Sequence, residues 1–129
     1  MSRFFVLISL QGTKALVPLD DVREILPMLA LAPAPPHAGC LGVANLRGTA
    51  IPVFGRGLGD AAFEDRFILV SSADGAPAGW VVDEVLDVME LPAEQIFAAS
   101  LGEATGAEVA RAGDELIPIR RVRDAIAAA

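Results

Sequence analysis

Gly42-Val-Ala-Asn-Leu-Arg-Gly-Thr-Ala-Ile-Pro-Val53 is the stretch from which the fold of this chain is most readily inferred. Apolar runs over residues 41–46 and 49–54 lie on either side of Arg47-Gly48. Short apolar runs that are separated by a glycine-containing dipeptide are typical of a β-hairpin. The stretch therefore predicts two strands that pair through a tight turn.

The glycines and polar residues of this stretch carry further information. Gly42 permits a close backbone approach, and Gly48 suits a turn conformation that a β-carbon would strain. The side chains at positions 43, 46, 51 and 53 are apolar and are expected in a core. Asn45 and Arg47 stand out against this apolar frame, and the rigid fork of an arginine suits backbone carbonyls or a carboxylate. A structural turn with a solvated arginine is the alternative interpretation.

Further strands are indicated on both sides of this hairpin. Apolar runs bounded by glycine, proline or aspartate, repeated every few residues, favour an all-β barrel or sandwich. Asp74-Gly75, between two apolar runs, is a strong hairpin signal. The predicted strands cover residues 4–10, 13–19, 41–46, 49–54, 66–71, 79–91 (two strands with a bend near 83–84), 108–112 and 116–119.

The remaining segments are predicted to be short helices or connectors. Val22 to Leu26 is expected to form at most a turn or two of helix, because Pro27 stops it. Pro92 to Ile96 is typical of a short helical turn with proline first. Ala30 to Gly39 is predicted to be an extended connector, and Phe97 to Thr105 is expected to be irregular. A terminal helix is predicted over residues 119–128.

Composition bounds the class of protein. The chain has 129 residues, 53% of them hydrophobic, and a net charge of −7, with a mean hydropathy of +0.51. No apolar run approaches the roughly 20 residues that a spanning helix needs, and no secretory signal is visible, so we expect a cytoplasmic protein without membrane insertion. The acidic balance argues against a nucleic-acid partner. The apolar excess predicts a dense core and apolar surface for partners.

The sequence contains no recognisable signature of an enzyme active site or of a cofactor-binding site. His37 and Cys40 lack further ligands at metal-site spacing, so we expect a solvated loop histidine and a small buried thiol. Gly55-Arg-Gly-Leu-Gly59 is not followed by Lys-Ser/Thr, which favours a linker over a phosphate loop. Asp83 and Glu84 are neighbours on a strand and point to opposite faces, so they do not share a site, and we expect these carboxylates to be solvated. No catalytic, cofactor-binding or metal-binding residue is predicted.

The order of motifs resembles that of a known family. Gly42-Val-Ala-Asn-Leu-Arg-Gly48 followed by Ile51-Pro-Val53 is similar to the G-V-x-N-L-R-G…V-P-V signature of CheW-type chemotaxis coupling proteins. Ala15-Leu-Val-Pro-Leu19 and Val22-Arg-Glu-Ile25 resemble the motifs that precede this signature. Trp80-Val-Val-Asp-Glu-Val85 resembles the L-x-V-D-x-V motif that follows it. The resemblance covers residues 4–96 and extends more loosely to the final strands.

The resemblance implies a fold and a domain organisation. The expected fold is all-β, with two small SH3-like five-stranded barrels packed together and short helices. A single CheW-like domain would cover residues 1–129. Its first subdomain would cover residues 12–56, and its second residues 64–120 with the N-terminal strand 4–10.

The resemblance also implies a function. Such proteins are adaptors that couple the cytoplasmic tips of chemoreceptors to the regulatory domain of a histidine kinase. An apolar groove between the barrels would receive a receptor helix, and Glu24 and Arg47 would bridge each other beside it. The protein-binding residues implied are Val22, Glu24, Ile25, Asn45, Arg47 and Val85. Three alternatives remain. Gly55-Arg56 departs from the family pattern, which favours a module of another chemosensory system, such as a pilus-linked one. The others are a small ligand-binding barrel and a self-associating module.

Overall fold

The part of the chain that the structure describes has twelve strands, one α-helix and short 3-10 turns. The computed structural model describes residues 1–34, 39–55, 59, 62–72, 75–101 and 104–128. The elements are β1 (Ser2–Leu10), β2 (Thr13–Pro18), β3 (Glu24–Pro27), β4 (Leu31–Ala32), β5 (Cys40–Leu46), β6 (Thr49–Phe54), β7 (Phe67–Ser71), β8 (Ala78–Val82), β9 (Glu84–Pro92), β10 (Ile96–Leu101), β11 (Ala104–Ala112), β12 (Glu115–Ile119) and α1 (Val122–Ala127).

The strands form two curled sheets, which confirms the predicted all-β class with two barrel subdomains. The first sheet has the order β10-β11-β12-β2-β1-β9, and the second has the order β3-β7-β8-β6-β5-β4. Each sheet has six strands where five were expected. Three strands were not predicted: β3 comes from the segment expected to be a helical turn, β4 from the connector and β10 from the chain expected to be irregular, and their backbones pair with β7, β5 and β11.

The sheets divide the chain at other places than the predicted boundaries. The prediction grouped β2 with β5 and β6, but β2 pairs with β1 in the first sheet, because the tight turn at Gln11-Gly12 keeps the hairpin together. The prediction grouped β7 and β8 with the second subdomain, but β8 lies parallel to β6 with Val53 opposite Gly79. The chain therefore crosses between the sheets after Pro18 and at Asp83.

Within the segment Val22 to Leu26, the chain from Glu24 onward is strand β3 and not the predicted helical turn. A 3-10 turn covers Leu19–Asp21, and β3 then pairs with β7. The N–H of Arg23 donates to the carbonyl of Val70 at 2.7 Å. Pairing with β7 gives these backbone groups partners that a helix interrupted by Pro27 would not provide. The helical turn predicted near residues 92–96 is confirmed as a 3-10 turn over Ala93–Gln95. The terminal helix predicted over residues 119–128 is present but shorter, because α1 covers Val122–Ala127 and Ile119 ends β12.

Each barrel has its own core, and a third cluster joins the two sheets. We call this third cluster the seam. The first sheet contributes Val6, Ile8 and Val17 to it, the second contributes Leu69, Trp80 and Val82, and α1 contributes Val122 and Ala125. Burial of a large apolar side chain stabilises a fold by about 1.5–3 kcal/mol, so the seam holds the barrels together.

Candidate protein-binding site

Glu24 and Arg47 form the ion pair that the resemblance implied. Nη1 and Nη2 of Arg47 donate to Oε1 and Oε2 of Glu24 at 2.9 and 2.7 Å. This two-point geometry is the one in which a guanidinium fits a carboxylate best. The side chains are 25% and 65% exposed for Glu24 and Arg47, so the pair lies at the surface, where a partner can reach it.

Electrostatics keep both members of this pair charged. The hydrogen bond from Arg47 has the largest effect and lowers the pKa of the Glu24 carboxyl; burial opposes it, and the charges of Arg47 and Arg23 lower the pKa further. The hydrogen bond with Glu24 raises the pKa of Arg47 in turn. The pair is therefore fully ionised at neutral pH.

The turn between β5 and β6 holds Arg47 in a defined orientation. Both central residues have positive φ, 50° for Arg47 and 86° for Gly48, as a type I′ turn requires. Oδ1 of Asn45 accepts a hydrogen bond from the N–H of Gly48 at 2.8 Å. The side chain of Asn45 thus stabilises the turn. Positive φ at a residue other than glycine is uncommon, and here it aims the guanidinium at Glu24.

The strands beneath this turn follow the predicted logic with one exception. A β-carbon on Gly42 would lie 2.7 Å from the carbonyl oxygen of Ala32, so the predicted close approach is confirmed. Ile51 and Val53 are buried in the core of the second barrel. Val43 was wrongly predicted to belong to this core. Side chains alternate along β5, so Gly42 and Ala44 face inward and Val43 faces outward.

The apolar residues predicted for the groove lie along the seam. Val22 and Val85 are half-buried and pack against its core. Ile25 is 37% exposed and lies opposite Leu69, a seam residue. The N–H of Arg23, next to Val22, donates to the carbonyl of Val70 near one end of β7. Val82, three residues before Val85, lies opposite Phe67 at the other end of β7. This register places Val22 and Val85 toward opposite ends of β7, with Ile25 between them.

Three exposed apolar side chains beside the seam were not predicted. Phe4 and Val88 are each 51% exposed, and Leu19 is 37% exposed. Phe4 and Val88 are diagonal neighbours across β1 and β9, and Phe4 and Leu19 line a surface concavity of about 420 Å³. Alternation along β1 puts Phe4 on the same face as the buried Val6 and Ile8. The apolar run of β1 contains no polar residue near Phe4, so the sequence does not show that this end of the face is exposed.

Asp83 is buried in an ion pair, which corrects the prediction that it is solvated. Nε of Arg66 donates to its Oδ1 at 2.9 Å, and both side chains are less than a tenth exposed. The N–H groups of Gln11 and Gly59 also donate to the carboxylate, at 2.6 Å and 2.9 Å. Burial alone would raise the pKa of Asp83, but these hydrogen bonds and the charge of Arg66 outweigh it and lower the pKa.

Other candidate groups add no site. Cys40 is half-buried and its thiol lies 3.6 Å from the carbonyl of Gly42. Among the described residues no group of histidine, cysteine and carboxylate side chains could hold a metal ion. His37 and Arg56 lie outside the described residues. No helix in the described ranges is long and apolar enough to cross a membrane.

Comparison with known proteins agrees with this geometry. The crystal structure of the scaffolding protein TtCheW from Thermoanaerobacter tengcongensis matches with a TM-score of 0.80 and 24% sequence identity, over 95% of this chain and 86% of that chain. The likeness shows that the two proteins share a fold. A comparison with curated protein sequences found no match. The family model of the CheW-like domain matches residues 5–125, and the chain therefore belongs to the CheW-like domain family.

Proposed function

We propose that this chain is a non-enzymatic adaptor that couples the cytoplasmic tip of a chemoreceptor to the regulatory domain of a histidine kinase. Membership of the CheW-like family supports the proposal. One observation carries it, namely that Val22 and Val85 pack against the seam and Ile25 lies opposite the seam residue Leu69. The two-point ion pair between Glu24 on β3 and the turn residue Arg47 lies next to Ile25. This combination suits a protein partner in the cytoplasm.

The geometry favours recognition at the surface over a cavity in a barrel. Both barrel interiors are filled by their own side chains, such as Phe5 and Leu16 in the first and Ile51 and Ile68 in the second. An amphipathic helix recognises its partner through apolar anchors spaced at i, i+3 and i+4. Half-buried side chains along the seam give such anchors a surface that is already fixed in place.

Glu24 and Ile25 on β3 have different proposed roles. Successive side chains of a strand point to opposite faces, so Ile25 faces the seam and Glu24 faces Arg47. The ion pair ties the turn at Arg47 to β3 and thereby fixes the edge next to the apolar positions. Asn45 acts one step further back, through the N–H of Gly48.

Binding to a receptor-tip hairpin and to a kinase regulatory domain, measured by calorimetry, tests the proposal. Ile25→Lys and Val22→Lys are expected to weaken receptor binding by about tenfold or more, as loss of a buried anchor does at an interface. Leu116→Lys is the matched control, because Leu116 is 62% exposed on β12 and lies in the other barrel. Unaltered receptor binding by both variants would contradict the groove. Binding only to the kinase of a pilus-linked system would favour the alternative pathway.

The ion pair is tested by exchange of its charges. Arg47→Glu is expected to weaken receptor binding, and Glu24→Arg in the same chain is expected to restore part of the loss, because the two-point contact is rebuilt in reverse. If the two substitutions instead produced independent, additive losses, the pair would have no role in shaping the site.

A further inference from the structure

A polar concavity lies at the Val22 end of the seam. It has a volume of about 270 Å³, and we call it the arginine concavity. Its lining residues are Asp20, Asp21, Arg23, Ser71, Ser72, Arg121 and Arg123. Three of the ten basic residues of the chain lie here. Because the net charge of the chain is −7, the concavity is a local concentration of positive charge on an acidic protein.

The arginines of this concavity retain unused donors. Nη1 of Arg23 donates to Oγ of Ser72 at 3.1 Å, which leaves four of the five N–H donors of a guanidinium. Nη1 of Arg121 is 3.8 Å from Oδ1 of Asp20, which is too long for a hydrogen bond. Arg123 is exposed and forms no ion pair within the described part of the chain.

The two aspartates differ in their hydrogen bonds and in their exposure to solvent. Oδ1 of Asp21 accepts a hydrogen bond from Ser71 at 3.2 Å, and Oδ2 accepts one from the N–H of Val122 at 2.6 Å. Asp21 therefore holds α1 in place. Asp20 is 83% exposed, so solvent screens its charge. Three guanidinium groups and two carboxylates leave a formal charge of one positive unit.

We propose that the arginine concavity binds a side-chain carboxylate from an acidic segment of a protein partner. A guanidinium accepts a carboxylate at two points, and one negative charge balances the surplus in the concavity. A phosphate carries a second charge that Asp20 and Asp21 repel. The site does not depend on the partner being a receptor, so the proposal goes beyond the adaptor function above.

The position of Arg23 connects the concavity to the apolar surface. Arg23 lies between Val22, which packs on the seam, and Glu24, which binds Arg47. A partner segment along the seam would therefore present a carboxylate to the concavity at one end of its apolar contact. Charge matching of this kind fixes the direction in which a segment binds.

Titration of the ¹⁵N-labelled full chain with a capped hexaglutamate peptide, followed by NMR, tests the proposal. We expect shifts at the guanidinium N–H groups of Arg23, Arg121 and Arg123, and none with hexaglutamine. Arg123→Gln should weaken binding about threefold, as loss of one exposed ion pair does. Arg111→Gln, which removes an exposed arginine on β11, is the matched control and should leave binding unchanged.

Two outcomes would overturn the proposal. Equal weakening by Arg111→Gln and Arg123→Gln would mean that the peptide senses only overall charge. Inorganic phosphate that displaced the peptide better than acetate at the same ionic strength would replace the carboxylate with a phosphate ligand. Circular dichroism of each variant confirms that a loss of binding does not come from unfolding.

Discussion

Replacement of Asp83 by asparagine removes the charge at the point where the chain passes from one barrel to the other. Asp83 follows β8 in the second sheet and precedes β9 in the first. Its carboxylate receives Nε of Arg66 and the N–H groups of Gln11 and Gly59. An asparagine has one acceptor oxygen, so either orientation of its amide leaves at least one of these donors facing an NH₂ group.

The expected cost follows from these contacts. Arg66 is only 6% exposed, and an uncompensated buried charge costs about 3–5 kcal/mol. For a chain of this length each kcal/mol lowers the melting temperature by about 4 °C. We therefore expect Asp83→Asn to lower the melting temperature by roughly 10–20 °C, measured by thermal and urea denaturation. Glu84→Gln, on the exposed neighbour, should change the unfolding free energy by less than about 0.5 kcal/mol.

A double-mutant cycle separates the ion pair from the other contacts of Asp83. Arg66→Met leaves the carboxylate with the two backbone donors, and Asp83→Asn leaves the guanidinium unpaired. If the pair carries the effect, the double variant should lose less than the sum of the two single losses, by at least about 1 kcal/mol. A single loss below that size, or additive losses, would refute the reasoning.

The remaining predictions concern pH, backbone geometry and the attachment of the helix. The folded state lowers the pKa of Asp83 below its ordinary 3.8, so its contribution is present above that pH and is lost as the pH falls through the folded-state pKa; urea titrations should show the wild type approaching Asp83→Asn in acid, and a constant difference would contradict this. Gly42→Ala should cost about 1–3 kcal/mol, since its β-carbon would meet the carbonyl of Ala32 at 2.7 Å. Gly75→Ala, with positive φ but open space, should cost about 1 kcal/mol, and equal melting temperatures would exclude the steric cause. Asp21→Ala should lower the unfolding free energy by about 1–2 kcal/mol through loss of the bond to Val122, whereas Asp20→Ala should have little effect.

Local pairing made much of the fold predictable. The strands predicted on either side of Gln11-Gly12, Arg47-Gly48 and Gly113-Asp114 are present and pair with each other. The segments that were predicted wrongly, near residues 22–26, 31–32 and 96–101, gain their strand character from distant neighbours. The five residues before Pro27 are too few to show a clear hydrophobic period, and the strand there is recognised only by its pairing with β7.

The Arg66–Asp83 pair was missed although the sequence contained a signal for it. A hairpin centred between Asp74 and Gly75 puts Phe67 opposite Val82, as observed. The same register puts Arg66 opposite Asp83, one step further from the turn. Opposite charges at facing positions of a hairpin predict an ion pair. The alternation of Asp83 and Glu84 along one strand does not reveal this neighbour across the hairpin.

The contact between Glu24 and Arg47 has a different origin, because no local register predicts it. β3 is at one end of the second sheet, and the turn that carries Arg47 joins the strands near the other end. A flat sheet would separate the two by the width of three strands, at about 4.8 Å for each step between neighbouring strands. Their side-chain atoms are 2.7 Å apart, so the curl of the sheet and the length of the two side chains together bring the pair into contact. The geometry of the proposed site therefore depends on the curvature of the second sheet and on the packing of the core beneath the motif residues.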